Sequence, residues 1–510
     1  MKTFLKVLSL TLAALFLITC FVACGGGQDE SETDAPDVET ETDAPKETEK
    51  RDEYGRLWIE DSIPADANYA SADKNTITFF IRDNGIYPSE IDVDEITDDT
   101  FNDAVYHRNA TVENRLGVTI TTIGKPSAAT ADRNAWLQDL RNAVNTKTQD
   151  YDCATIYASQ GSPLALEGCF YNVLDVETLD LEKSWWNQDM IEGLNIFDAL
   201  FFLGGDLTIS QTKQAGMIFY NKDILKEYFP TLDIYTTVTD YQWTIDKLYE
   251  LSSQVWVDTN ASGVADDGDT VGFTGWGTGG QGDTWQAAMG LQIVTKNAEG
   301  IPELSLYSER AITAYEKLGK LHLDNPGGLS GYTDNTKYLA GNVLFAAGLL
   351  NSAETYRDMG DAVGVLPYPM LDTDQGRYAT YPHNSCSLLT ILATIEPERE
   401  DMIGHTLELM AAESYRQTIP KYYEVCLKTK YSSDVGDAMM YDLILKSIRF
   451  DIGFVYGSKS IAGVNTLFRD FSKDFAQNYE GNATAYQTAL DALIEKLDEI
   501  AFVVNVENKK

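Results

Sequence analysis

The stretch Gly216–Gly277 decides how the rest of the chain is read. It opens with GMIFYNKDILKEYFP (216–230), continues through YQWTIDKLYELSSQVW (241–256) and closes with VDTNASGVADDGDTVGFTGWG (257–277). Met217 to Tyr220 predicts a short strand, Asn221–Lys222 a turn, and the residues after it a helix that ends before Pro230. Ile245, Leu248, Leu251 and Val255 recur at spacings of three and four, the apolar face of an amphipathic helix. An Asp/Asn/Gly loop then leads into a second short apolar run, Val271 to Phe273. No residue of the stretch reads as catalytic; its information lies in the order of its parts.

At 510 residues the chain is long enough for a large core and two or more lobes, and 28 Tyr and 8 Trp supply it with rings to bury. The formal net charge of −40 repels nucleic acid and anionic membrane surfaces, so no nucleic-acid partner is expected. The 4 histidines, at 107, 322, 383 and 405, are scattered and indicate no His-rich metal site.

Residues 1–23 carry Lys2 and Lys6 ahead of an apolar run, Val7 to Phe16, that is too short for a permanent span and reads as a signal peptide. The following Phe21-Val22-Ala23-Cys24-Gly25 resembles the lipobox of bacterial lipoproteins, with Cys24 as the residue that takes the lipid; a plain secretory signal is the alternative. Residues 25–53 contain no aromatic residue and repeat ETDAP at 32–36 and 41–45, too polar to offset the entropy of ordering. Residues 24–73 are therefore expected to form a lipidated, disordered acidic tether, with folding starting near Asn75.

Past that point strands and helices alternate. Thr76 to Ile81 reads as a strand, Ala104 to Leu116 as a helix ended by Gly117, Val118 to Ile123 as a strand, Trp136 to Val144 as a helix, and Asp150 to Ile156 as a strand. That alternation predicts a mostly parallel sheet covered on both faces, with ligands beyond the strand C-termini, at loops such as Arg82–Asn84. Later come a helix at Tyr307 to His322, strands at Gly341 to Gly348 and Ala362 to Pro369, and helices at Pro397 to Ser414, 434–449 and 484–500.

Tyr220-Asn221-Lys222-Asp223, the W-T-x-D-x-L start at Trp243 to Leu248, Gly272-Phe273 and Gly364-Val365-Leu366-Pro367-Tyr368-Pro369 occur in an order that resembles the family 1 solute-binding proteins of ABC importers, the sugar-binding type. The resemblance spans residues 74–505. It implies a two-lobed periplasmic-binding-protein-like α/β fold (type II), each lobe a mostly parallel sheet flanked by helices. Lobe 1 is expected to be 74–210 plus 384–425 and lobe 2 to be 211–383 plus 426–510, with a first crossing at Leu207 to Lys213 and a return after Tyr381 to Ser385. The function it implies is capture of a neutral solute, a carbohydrate or oligosaccharide, by hinge closure and delivery to ABC permease subunits. The protein would act as a monomer outside the cytoplasm, held to the membrane by its lipid, with no catalysis.

Sugar rings offer apolar faces and polar edges, so Trp185, Trp186, Trp276 and Trp285 are candidate stacking platforms; core packing is the competing reading for each. Asp83, Gln211, His383, Asn384 and Tyr456 fall in loops that the resemblance places near the cleft. Asp258, Asn260, Ser262, Val264, Asp266 and Asp269 follow EF-hand spacing around Gly263 and suggest structural Ca2+, although Asp269 stands where a bidentate Glu is usual; an acidic turn is the alternative. Gly275 to Gly280 matches G-x-G-x-x-G without the βαβ context of a dinucleotide site. Cys153, Cys169, Cys386 and Cys426 fit no zinc or CxxC pattern and leave one disulfide or buried thiols open. No G-x-S-x-G or P-loop occurs. A surface glycan-active enzyme, or a binder of peptides or other non-sugars, are the rival functions.

Overall fold

The apolar runs of the first part of the chain form β1 (Thr76–Arg82), β2 (Thr119–Lys125) and β3 (Cys153–Tyr157). Those that follow form β4 (Gly216–Asn221), β5 (Trp256–Val257), β6 (Thr270–Gly275), β7 (Val294–Lys296), β8 (Pro302–Leu304), β9 (Gly328–Ser330), β10 (Val343–Leu349), β11 (Val363–Leu366) and β12 (Ser387–Ile391). The computed structural model describes residues 50–83, 88–275, 281–330, 336–356, 359, 362–431, 434–457 and 459–503. Arg51–Lys510 forms one compact unit. Within it one sheet has the order β12-β3-β1-β2, and a second has the order β11-β4-β10-β6-β5 with β9 beside β6.

In the first sheet β1 is parallel to β2 and β3, and only β12 runs antiparallel, against β3. The second sheet differs from the expected mostly parallel layer. β10 is parallel to β6 and β6 to β9, but β10 and β11 both oppose β4, and β5 opposes β6. β4 enters directly from the segment that leaves the first sheet, so it runs against both of its neighbours.

Local chemistry explains the motifs. Helix α1 (Thr100–Leu116) starts at Asp99, whose carboxylate accepts from Phe101 N and Asn102 N, and stops at Gly117, which adopts φ 66°. A Cβ at Gly117 would also lie 2.7 Å from Ala70, so glycine is required twice over. Helix α2 (Thr130–Thr146) covers the first sheet through Trp136 and Leu140. The expected turn at Asn221–Lys222 is absent. Asn221 is both the last residue of β4 and the cap of helix α3 (Lys222–Tyr228), accepting from Asp223 N and Ile224 N, so the strand passes straight into the helix. Helix α4 (Ile245–Ser252) is capped by Thr244, and the Trp243 indole donates to the Pro367 carbonyl over 2.9 Å, which ties the W-T-x-D-x-L start to the G-V-L-P-Y-P strand.

The Asp152 carboxylate ahead of β3 accepts Thr78 N at 2.8 Å and forms a buried ion pair with Arg399, just before helix α6 (Glu400–Glu413). Removing one partner of such a pair costs about 3–5 kcal/mol. Helix α5 (Gln281–Ala288) lies between the sheets' crossing segments and the last part of the chain, and its Thr284 hydroxyl donates to the Tyr381 carbonyl. The closing helix α7 (Phe475–Phe502), about 42 Å long, packs against both Gly161–Leu166 and Glu309–Leu323. It is therefore shared between the two halves instead of belonging wholly to the second.

Order also begins earlier than Asn75. Arg56 lies 4.4 Å over the Tyr415 ring, Arg416 donates to the Ile59 carbonyl at 2.7 Å, Asp61 bridges Arg115 and Arg416, and the Tyr69 hydroxyl meets His405. Residues 51–73 carry rings that 25–50 lack, and Asp61 is a buried ion-pair partner, so this part of the expected tether is strapped onto the body. Cys153, Cys169, Cys386 and Cys426 are buried thiols that form no disulfide.

Candidate functional site

The chain leaves the first sheet and enters the second between Ser210 and Gly216, and returns between Thr380 and Ser387. The two segments run side by side. Ala215 bridges Pro382, His383 N donates to Gln214 O at 2.8 Å, and the Ser385 hydroxyl donates to Gln214 Oε1 at 3.1 Å. A third segment joins them, with Arg449 N on Thr380 O at 2.9 Å. The pairing centres on Gln214–Ala215, just after the Leu207–Lys213 span expected for the crossing; Ser210–Lys213 forms a single helical turn that leads into it. Extended backbone with few bonds to either sheet is where a hinge motion would concentrate its dihedral change.

Beside this crossing lie the C-terminal ends of the first sheet's strands. Arg82 ends β1 with its Nη1 on the Ser385 carbonyl at 2.8 Å and its Nη2 on the Ser387 hydroxyl. Its Cζ sits 3.8 Å over the ring of Tyr157, the last residue of β3, and Arg133 from α2 sits 4.9 Å over the same ring. Buried Glu90 shares the Ser387 hydroxyl and accepts Ser210 N; burial raises its pKa, and the Ser387 and Arg82 groups oppose that rise. From the other side, Leu350 N at the end of β10 donates to Ala215 O, and Asp283 of α5 pairs with Arg469 at 2.6 Å. Burial, and then the Arg469 charge, push His383 down to about 4, so it is a neutral hydrogen-bonding group at the junction. The arrangement holds hydrogen-bond donors and acceptors in fixed positions, among them the Ser385 hydroxyl, 2.8 Å from His383 Nδ1.

No family model and no curated protein matches the chain. Among solved structures, a cyclo/maltodextrin-binding protein complexed with maltotetraose is 12% identical, over 84% of this chain and 97% of its own, at a TM-score of 0.50. An ABC substrate-binding protein from Listeria monocytogenes in complex with cycloalternan is 11% identical over 84% and 100%, with a TM-score of 0.48. A maltose/maltodextrin-binding domain from Bdellovibrio bacteriovorus bound to maltotriose is 12% identical over 83% and 100%, with a TM-score of 0.48. The likeness is one of fold, and that fold is two-lobed and α/β.

The expected site residues part company in this frame. Asp83 is exposed at the end of β1, and His383 and Asn384 are half-buried in the return segment, where the Asn384 carbonyl accepts Ser159 N. Trp276 and Cys24 lie outside the described residues. Trp185 and Trp285 are 0% exposed, and Trp186 and Tyr456 1%, so none of these four offers a face to a sugar. Both Trp185 and Trp186 turn their indole N–H groups onto Glu408, at 3.1 and 2.9 Å. Trp285 is boxed by Phe273, His322 and Tyr368. Gln211 is buried, with Nε2 on the Ser387 carbonyl, and serves the crossing. Arg82 was named by sequence only as part of the Arg82–Asn84 loop, and Arg133 and Tyr157 were not singled out; Tyr157 follows a predicted strand end, whereas Arg133 sits in the first turn of α2, where no strand-end signal marks it.

The Asp258–Asp269 loop does not fit a six-ligand calcium set. Asp269, the twelfth position, is buried, and its carboxylate accepts Thr259 N, the Thr259 hydroxyl, Trp256 Nε1 and Asp266 N. Three N–H donors and a Thr259 hydroxyl shared with the Gly268 carbonyl occupy most of its lone-pair sites. The Lys337 ammonium supplies the loop's positive charge, donating to the carbonyls of Asp266, Asp267 and Asp269 at 3.2, 2.9 and 2.6 Å. The remaining candidates bond one another: Asn260 Nδ2 donates to Asp266, the Ser262 hydroxyl donates to Val264 O, and Asp258 accepts Ser262 N and Gly263 N. Among the described residues no three His, Cys, Asp or Glu gather to hold a metal.

Proposed function

We propose that this protein is the substrate-binding component of an ABC importer and captures a carbohydrate or oligosaccharide between its two lobes. The observation that carries the reading is the junction itself: two sheets present strand ends to each other across side-by-side crossing segments at Gln214–Ala215 and Pro382–His383. Ligands of open α/β sheets sit beyond strand C-termini. Closure about the crossing segments then traps the ligand, its cost offset by tighter contact in the closed state. The cyclo/maltodextrin-binding protein that shares this fold holds maltotetraose, which supports a saccharide over a peptide.

In this reading Asp83, His383 and Asn384 meet sugar hydroxyls, Cys24 carries the lipid that keeps the protein outside the cytoplasm at the membrane, and permease subunits receive the closed form. No helix among the described residues is long and apolar enough to cross a membrane. Calorimetry and thermal-shift measurements against saccharide and peptide panels test the ligand class. A saccharide is expected to raise the melting temperature. A peptide that does so where no saccharide does would overturn the reading, and cleavage of a bound oligosaccharide would overturn the absence of catalysis. Membrane fractionation of Cys24→Ser tests the anchor, with release from the membrane fraction expected.

A further inference from the structure

The first sheet ends its three parallel strands on Arg82, Lys125 and Tyr157, and α2 adds Arg133 beside them. In a chain with 79 Asp and Glu against 39 Lys and Arg, this concentration of cations runs against the overall charge. Lys125 is neutralised by Asp139 at 2.6 Å. Arg82 is buried and its Nε has no partner. Arg133 is held by carbonyls alone, Nε on Ser127 O at 3.4 Å and Nη2 on Ala128 O at 3.0 Å, and no carboxylate among the described residues pairs with it. Carbonyls orient a guanidinium without cancelling its charge. Buried Glu90, which shares the Ser387 hydroxyl with Arg82, is pushed by burial toward its neutral form, and Arg469 across the junction is already paired with Asp283. Asp83 is exposed at the same strand end and makes no ion pair with either guanidinium among the described residues.

We propose that the strand-end site takes a saccharide bearing an anionic substituent, a carboxylate or a sulfate, and that Arg133 is the group that meets it. The inference rests on the carbohydrate reading above and narrows it, away from the neutral solute that the resemblance implies. A guanidinium braced on a tyrosine face and two carbonyls is already oriented, so little side-chain entropy remains to be lost when it pairs with a planar anion. Asp83, acceptor-only when ionised, takes the ring hydroxyls instead.

The test uses the purified protein with maltotetraose, an oligogalacturonate and a sulfated oligosaccharide, by calorimetry at low and physiological ionic strength. Tighter binding of an acidic saccharide is expected, weakening as salt screens the pair, and the two acidic ligands tell carboxylate from sulfate. Arg133→Gln is expected to weaken that ligand roughly tenfold with no change in the melting temperature of the free protein, and Arg133→Lys to recover part of the loss. Preference for maltotetraose, or an Arg133→Gln variant with unchanged acidic affinity, overturns the proposal and leaves the carbohydrate reading standing. If no saccharide of either kind binds, both fall.

Discussion

Two regions of the molecule pair aromatic rings with charge, and they use the pairing oppositely. At Trp185–Trp186 both rings are buried and both indole N–H groups converge on one carboxyl, Glu408, so every polar hydrogen of the motif is satisfied inside the protein. At Tyr157 the ring is buried too, but the groups laid over it are guanidiniums, and Arg133 is left without a countercharge among the described residues. The first region is closed chemistry and serves packing. The second leaves a charge for something else to meet. What separates a packing motif from a binding motif here is the direction of the polar groups, which residue types alone do not reveal.

The comparison is broken or sharpened by five measurements. Trp186→Ala is expected to cost about 3–5 kcal/mol in denaturant unfolding. An unchanged midpoint with lost sugar binding would reverse the assignment of the two regions. Lys337→Met strips the ammonium from three carbonyls and is expected to cost about 1–3 kcal/mol, read as a lowered melting temperature. Glu408 is pushed up to about 7 by burial, against the pull of the Trp186 and Trp185 donors. Its folded-state pKa lies above the unfolded value, so the native state holds the proton more tightly. The stability it contributes is full below about pH 4.3 and is lost as pH rises through 7. Glu408→Gln is therefore expected to flatten the fall in stability between pH 5 and 8 by about 1–2 kcal/mol, checked by urea midpoints at both pH values. Asp206, also pushed to about 7 by burial, leaves a residual slope of the same sign. Arg133→Gln should leave the midpoint within about 0.5 kcal/mol while lowering affinity for an acidic saccharide. The smallest effect is the last: EDTA is expected to leave the melting temperature unchanged, and a drop would restore the Asp258–Asp269 loop as a calcium site.

Much of the fold was legible because it rests on local periodicity. The run Thr76 to Ile81, the Gly117 stop and the Ile245-Leu248-Leu251 face each depend on residues a few positions apart, and each appears where expected, whereas the turn expected at Asn221–Lys222 is replaced by a strand that runs straight into its helix. The mixed direction of the second sheet was not legible, since strand direction follows from how β4 enters after the crossing. Nor was the strap of residues 51–73, whose acidic surroundings hid the fact that Asp61 and Arg56 find partners near position 415. For the site, Asp83, His383 and Asn384 were expected near the cleft from the resemblance; Asp83 follows β1, and His383 and Asn384 lie in the return segment beside Gln214. The tryptophans misled because an indole suits a sugar face and a core equally well.

By itself the sequence determined the strongly acidic character, the alternation of strands and helices, the capping residues and the order of motifs that resembles a sugar-binding solute receptor. All of these are set by composition or by neighbours along the chain. Only the tertiary structure decided that Trp185, Trp186 and Trp285 face inward, that a lysine 68 residues after Asp269 supplies the charge of the acidic loop, and that Arg133 lies over Tyr157. Those outcomes depend on which distant groups meet and saturate one another, and a hydrogen bond or ion pair closed across the fold leaves no trace in the local pattern.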